Sequence, residues 1–229
     1  MTQKYIIFDC DGVLVDSEII ACRLEAQALT DAGYPISTED NIRQFAGKSQ
    51  QSIMSIVETA LGKPLPTDFD DKLNQKILAA LSQELQPIAG IKDVLEKLHH
   101  QGIEFCIASS GSMEKILNSL NVTGLNSFFA HERIFSASMV KNGKPAPDLF
   151  LYAAKEMGAS PKDCIVIEDS LYGMQAGVAA GMQSFGFVGG SHILDSGHKD
   201  LLINTGASLV FDQMSDLTTF IRNAVYEAA

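Results

Sequence analysis

Asp9 and Asp11 are the residues whose types and spacing could do chemistry. They follow the apolar run Tyr5-Ile6-Ile7-Phe8 as Asp-x-Asp, and Gly12 closes the turn. Two carboxylates delivered this close together can divide labour, one attacking an electrophile while the other moves a proton. A strand ending on one Asp is an ordinary turn cap; two acids after so abrupt a change of composition are not. Asp-x-Asp-Gly also opens a calcium loop, which continues with further acids and a Glu at position 12. Counted from Asp9, positions 5 and 12 are Val13 and Ile20, so the calcium reading fails.

Three further stretches end in polar residues of matching chemistry. Residues 103–108 run into Ser109-Ser110-Gly111, residues 164–167 into Glu168-Asp169-Ser170, and Lys144 lies in the loop 138–147. Each has a plain explanation alone. Ser109 could cap the next helix, Lys144 could be a solvated loop cation, and Glu168-Asp169 could be an acidic helix start favoured by the macrodipole. The plain explanations do not account for all four arriving at one edge of a sheet. Together the carboxylates suit Mg²⁺, a hard cation that keeps waters and binds substrate phosphate. An ionised Asp beside it can attack phosphorus, and the second can protonate the leaving alcohol and then deprotonate water. Lysine offsets the anionic charge, while Ser hydroxyl and backbone N–H groups hold phosphate oxygens.

The elements that must position these residues are legible as periodicities. Residues 5–8 form a short β-rich run that suits a strand buried on both faces. Residues 16–86 carry apolar positions at helical spacing, such as Ile19, Ile20, Leu24, Ala28 and Leu29, and show no convincing strand. After Pro87 strands at 103–108, 133–136, 164–167, 184–188 and 208–211 alternate with helices, including a small-residue helix at 174–180, except that the stretch between the last two strands reads as loop. The expected fold is α/β: a Rossmann-like parallel-sheet core from residues 1–15 and 87–229, with a helical cap domain inserted at 16–86.

Composition narrows the function. The chain has 229 residues, 46% hydrophobic, enough for a substantial core. Its net charge of −11 argues against nucleic-acid partners. There is no apolar run of membrane-spanning length and no signal-peptide pattern, so a cytoplasmic monomer acting on a small phosphorylated metabolite is expected. Cys10, Cys22, Cys106 and Cys164 are scattered and read as thiols, mostly buried. His192 and His198, after the fifth strand, are expected to be solvated.

The ordered motifs resemble the haloacid dehalogenase superfamily of phosphotransferases, among its members with a helical cap after the first motif. They are Phe8-Asp9-Cys10-Asp11-Gly12-Val13-Leu14-Val15-Asp16-Ser17-Glu18, then Ala108-Ser109-Ser110-Gly111, Lys144-Pro145-Ala146-Pro147-Asp148-Leu149-Phe150, and Ile167-Glu168-Asp169-Ser170-Leu171-Tyr172-Gly173. The resemblance implies that Asp9 is the nucleophile and Asp11 the acid/base, with Ser109, its neighbour Ser110 and Lys144 on phosphate. It implies Mg²⁺ held by Asp9, the Asp11 carbonyl and Asp169, with Glu168 directly or through water. The turn around Gly47 and Lys48 is similar to the cap's specificity loop. β-Phosphoglucomutase, in the same superfamily, carries a hinge His where Ala21 stands here and a phosphate-binding Arg where Gln50 stands. A phosphatase for a sugar or sugar-acid phosphate such as 6-phosphogluconate is therefore the main expectation. A phosphosugar mutase remains an alternative, as does a receiver-like or non-catalytic phosphate-binding module.

Overall fold

Runs rich in Ile, Val, Phe and Cys pair into one parallel sheet in the computed structural model, which describes residues 4–45, 48, 50–194 and 197–227. In chain order the elements are β1 (Tyr5–Phe8), α1 (Glu18–Asp31), α2 (Thr38–Phe45), α3 (Gln50–Leu61), α4 (Phe69–Glu84) and α5 (Ile91–His100). Then come β2 (Glu104–Ser109), α6 (Met113–Thr123), β3 (Ile134–Ser136), α7 (Asp148–Glu156), β4 (Cys164–Glu168) and α8 (Leu171–Ala179). The chain continues through β5 (Gln183–Phe187), α9 (Gly197–Thr205), β6 (Leu209–Phe211) and α10 (Leu217–Glu227).

The strand order is β3-β2-β1-β4-β5-β6, with every pairing parallel. Side chains alternate between faces, and both faces are covered. Ile6 and Phe8 pack with Ile107, Ile165 and Ile167 against α5, α6 and α10. Ile7 packs with Cys106, Ala108 and Val166 against α7 and α8. The sheet first grows to one side of β1 and then, with β4, to the other. Such a reversal opens a crevice at the carboxyl ends of the two strands, here β1 and β4.

Between β1 and α5 every helix or strand named among the described residues is a helix, and Val15 makes only isolated bridges to Asp11 and Pro87. The chain leaves and re-enters this region at one place: Asp16 N–H donates to the Gln86 carbonyl at 3.0 Å, and Ile88 N–H to the Leu14 carbonyl at 3.0 Å. Leu29, Phe45, Ile53, Val57 and Leu65 form a small apolar cluster of their own. At the base of the same helices Ile20, Leu81 and Leu85 join the main core instead.

Two elements differ from the sequence expectation. α9 occupies a stretch expected as loop; only Leu202 is buried there, while Leu201 and Ile203 are exposed, so no amphipathic stripe marks the helix. α8 begins at Leu171 rather than 174, because the Ser170 hydroxyl accepts from Gly173 N–H at 3.0 Å and caps the helix early. All four cysteines are free thiols, three of them buried. No helix among the described residues is long and apolar enough to cross a membrane.

Leu29 is fully buried in the helical cluster. Leu29→Ala should cost about 2–5 kcal/mol of local stability. Amide hydrogen exchange should then quicken in α1, α2 and α3 while β1, β2 and β4 keep their protection. Equal acceleration through the sheet would mean that helices and sheet open as one block.

Candidate active site

Asp9 stands where β1 ends, its N–H donating to the Ile167 carbonyl of β4 at 3.0 Å. Lys144, from the loop before α7, donates to Asp9 Oδ1 at 2.5 Å and to Glu168 Oε1 at 2.6 Å. All three side chains are buried, with the lysine only 4% exposed. Glu168 Oε2 accepts from Ser170 N–H and Oγ–H, each at 2.9 Å. The lysine's ammonium also lies 4.8 Å from the centre of the Phe150 ring.

Burial alone would lower the Lys144 pKa, but Asp9 and Glu168 outweigh it and hold the ammonium above its ordinary value. Burial pushes the Asp9 carboxyl well above the usual range; Lys144 opposes this, and Glu168, Asp169 and Asp11 add to it. The cluster has more carboxylates than cations to satisfy them.

Asp11 is held by two donors: Ser17 Oγ at 2.6 Å from Oδ1, and Lys115 Nζ at 3.0 Å from Oδ2. Ser17 immediately precedes α1, and Lys115 lies in the first turn of α6. Glu18, beside them, is pushed up to about 7 by burial, with Asp11 and Asp169 reinforcing the shift. Ser109 ends β2 almost fully buried, its hydroxyl accepting from Gly111 N–H at 3.1 Å, while Ser110 is exposed. Gly12, at φ +80°, is required: a Cβ there would sit 1.8 Å from Asp169 Oδ2.

Asp169, 4% exposed, is engaged from the loop after β5 and from the start of α9. His192 Nε2 lies 3.2 Å from its Oδ2, and His198 Nε2 lies 2.5 Å from its backbone carbonyl. Burial would lower the His192 pKa, but the hydrogen bond to Asp169 and the charges of Asp169, Glu18 and Asp16 raise it above the ordinary value. The expectation that these histidines are solvated is thus corrected: His192 is 16% exposed and faces an acid.

Among the described residues, no three His, Cys, Asp or Glu side chains are grouped to hold a metal ion. Mg²⁺ needs fewer, binding through one or two carboxylates plus waters and substrate phosphate. The oxygen-only donors at the ends of β1 and β4, with their shortage of positive charge, fit such an ion.

The structure therefore brings together Asp9, Asp11, Lys144, Glu168 and Asp169, with Ser109 at the neighbouring strand end. Lys48 is exposed, and its ammonium donates to the Gln44 carbonyl of α2 at 2.9 Å. Gly47 lies outside the described residues. Lys115, Ser17 and Glu18 were missed by sequence reasoning, although Ser17 and Glu18 lie inside the first motif and signalled their place by adjacency.

The family described as haloacid dehalogenase-like hydrolase matches residues 6–187. A 6-phosphogluconate phosphatase of Escherichia coli K12 is 30% identical over 188 residues, covering 82% of this chain and 83% of that protein. A conserved haloacid dehalogenase-like protein of unknown function from Agrobacterium tumefaciens superposes with a TM-score of 0.90 at 40% identity, over 97% of this chain and 99% of that one. A hydrolase of the same family from Deinococcus radiodurans, with bound phosphate and sodium, gives a TM-score of 0.85 at 30% identity, over 97% and 96%. With the family matched over residues 6–187 and a 40% identical structure superposing over nearly the whole length, this chain belongs to the haloacid dehalogenase-like hydrolase family.

Proposed function

We propose that the protein is a Mg²⁺-dependent phosphatase for a small phosphorylated sugar or sugar acid, working through an aspartyl-phosphate on Asp9. The observation that carries this reading is the buried Asp9–Lys144–Glu168 bridge at the β1/β4 crevice of a hydrolase fold. Its likeness to a 6-phosphogluconate phosphatase supports the substrate class.

In this reading an Asp9 carboxylate oxygen attacks phosphorus as the bond to the leaving oxygen breaks, and Asp11 gives that oxygen a proton. Asp11 then takes a proton from water, which attacks the phosphoryl group; the bond to Asp9 breaks and inorganic phosphate leaves. Both Asp11 oxygens are bonded in the structure, so proton transfer requires Ser17 or Lys115 to exchange partners. Ser109 and Ser110 with the following N–H groups hold phosphate oxygens, and Lys144 offsets charge on Asp9. Asp9, the Asp11 carbonyl and Asp169 would hold Mg²⁺. When bound, the ion supplies charge neutralisation between the phosphate and these acids. Glu168, engaged by Lys144 and Ser170, acts through the lysine. The helices of residues 16–86 serve as a cap that screens substrates. Gln50 donates to Asp70 at 3.3 Å, which offers a bisphosphate no cation and favours hydrolysis over mutase chemistry.

A phosphomonoester screen with Mg²⁺, including 6-phosphogluconate and β-glucose 1-phosphate with a bisphosphate activator, tests the proposal. Phosphate release without isomerisation is expected; isomerisation without release would favour the mutase. Chelation should abolish turnover, and full activity in excess chelator would contradict the metal requirement. Asp9→Asn should reduce activity to background, whereas Asp11→Asn should slow it by roughly 10²–10⁴-fold. Near-normal rates in a folded Asp9→Asn enzyme would remove Asp9 as the nucleophile.

A further inference from the structure

His192 sits on a loop with no obvious part in the chemistry, yet its ring is packed into the site. The loop is anchored before it reaches Asp169. Ser191 N–H donates to Asp16 Oδ1 at 3.1 Å, Ser191 Oγ donates to Asp16 Oδ2, and Ile193 N–H closes a turn on the Gly190 carbonyl at 3.0 Å. Two glycines make room for the ring. A Cβ on Gly190 would lie 2.9 Å from both Nδ1 and Cε1 of His192, and one on Gly12 would lie 3.1 Å from Cε1. Nδ1 is buried with no hydrogen-bond partner among the described residues. Burying a polar atom unpaired is unfavourable, and such exceptions call for a reason. The reason offered by the geometry is the other nitrogen, 3.2 Å from Asp169 Oδ2.

We propose that His192 is a positioning residue, fixing the plane of the Asp169 carboxylate for the cation while His198 fixes the carbonyl of the same residue. This rests on the Mg²⁺ reading above. A carboxylate among other acids tends to turn away from them, and a donor on Oδ2 opposes that. Hydrogen-bonding partners behind a metal ligand usually set its orientation, and their loss typically weakens metal binding by about 10–100-fold. The competing explanation, a stitch that only ties the loop to the core, predicts lost stability with unchanged cation affinity.

The test compares wild type, His192→Ala, His192→Gln and Gly190→Ala. Mg²⁺ binding is measured without substrate, by calorimetry and by the Mg²⁺-dependent rise in melting temperature. The Mg²⁺ activation constant and the substrate KM are measured in parallel with p-nitrophenyl phosphate. His192→Ala should weaken Mg²⁺ binding by about 10–100-fold, with the substrate KM changed less than the activation constant. His192→Gln, whose amide can donate to Oδ2, should recover much of the affinity. Gly190→Ala, which displaces the ring without removing it, should move affinity in the same direction as His192→Ala. Unchanged Mg²⁺ affinity in folded His192→Ala or Gly190→Ala would overturn the proposal while leaving the phosphatase reading intact. If His192→Ala does not fold, Gly190→Ala decides. Wild type that binds no Mg²⁺ would overturn this inference and the metal reading together.

Discussion

The contact on which the rest depends is the buried lysine between two acids. Taking Lys144, Asp9 and Glu168 out of water is unfavourable, and their attraction offsets it only if the geometry is held firmly. That requirement explains the surrounding architecture. Asp9 is fixed by the β1/β4 ladder and Glu168 by Ser170 just before α8, while the Lys144 ammonium also lies over the Phe150 ring. Three distant pieces of chain meet at the buried ends of β1 and β4, in a parallel sheet covered on both faces.

Around this bridge Asp11 and Asp169 take partners from other elements. Asp11 is held by Ser17 at the root of α1 and by Lys115 on α6, and Asp169 by His192 beyond β5. The excess of negative charge is therefore divided among donors that can exchange, rather than neutralised outright. Such an arrangement suits a site that must accept a cation and an anionic phosphate together. The link from Asp16 to Ser191 ties the strand-to-helix junction to the loop that carries His192. The entrance to the helical region and the support of Asp169 thus share one anchored segment.

Much of this was legible in the chain because buried parallel strands leave a strong signal. Short apolar runs breaking abruptly into acids marked the ends of β1 and β4, and all six strands fall within two residues of where periodicity puts them. The supporting partners were not legible, for physical reasons. Lys115 reads as a surface lysine on a helix until the fold brings it to Asp11, 104 residues away. His192 and His198 read as loop residues because α9 lacks an apolar stripe and the glycines that admit the ring carry no periodic signal. The packing of Ile20 from α1 and Leu81 from α4 into the main core was not legible either, since a helical stripe does not say which core it joins.

The central claim is that Asp9 carries the phosphoryl group between substrate and water. Its most direct test is acid-quenched mass spectrometry of the enzyme during turnover, followed by mapping of the modified peptide. The mass of one phosphoryl group should appear on Asp9 and vanish as substrate is exhausted. Turnover with no covalent phosphate at any sampled time, or with the label on another residue, would contradict the account.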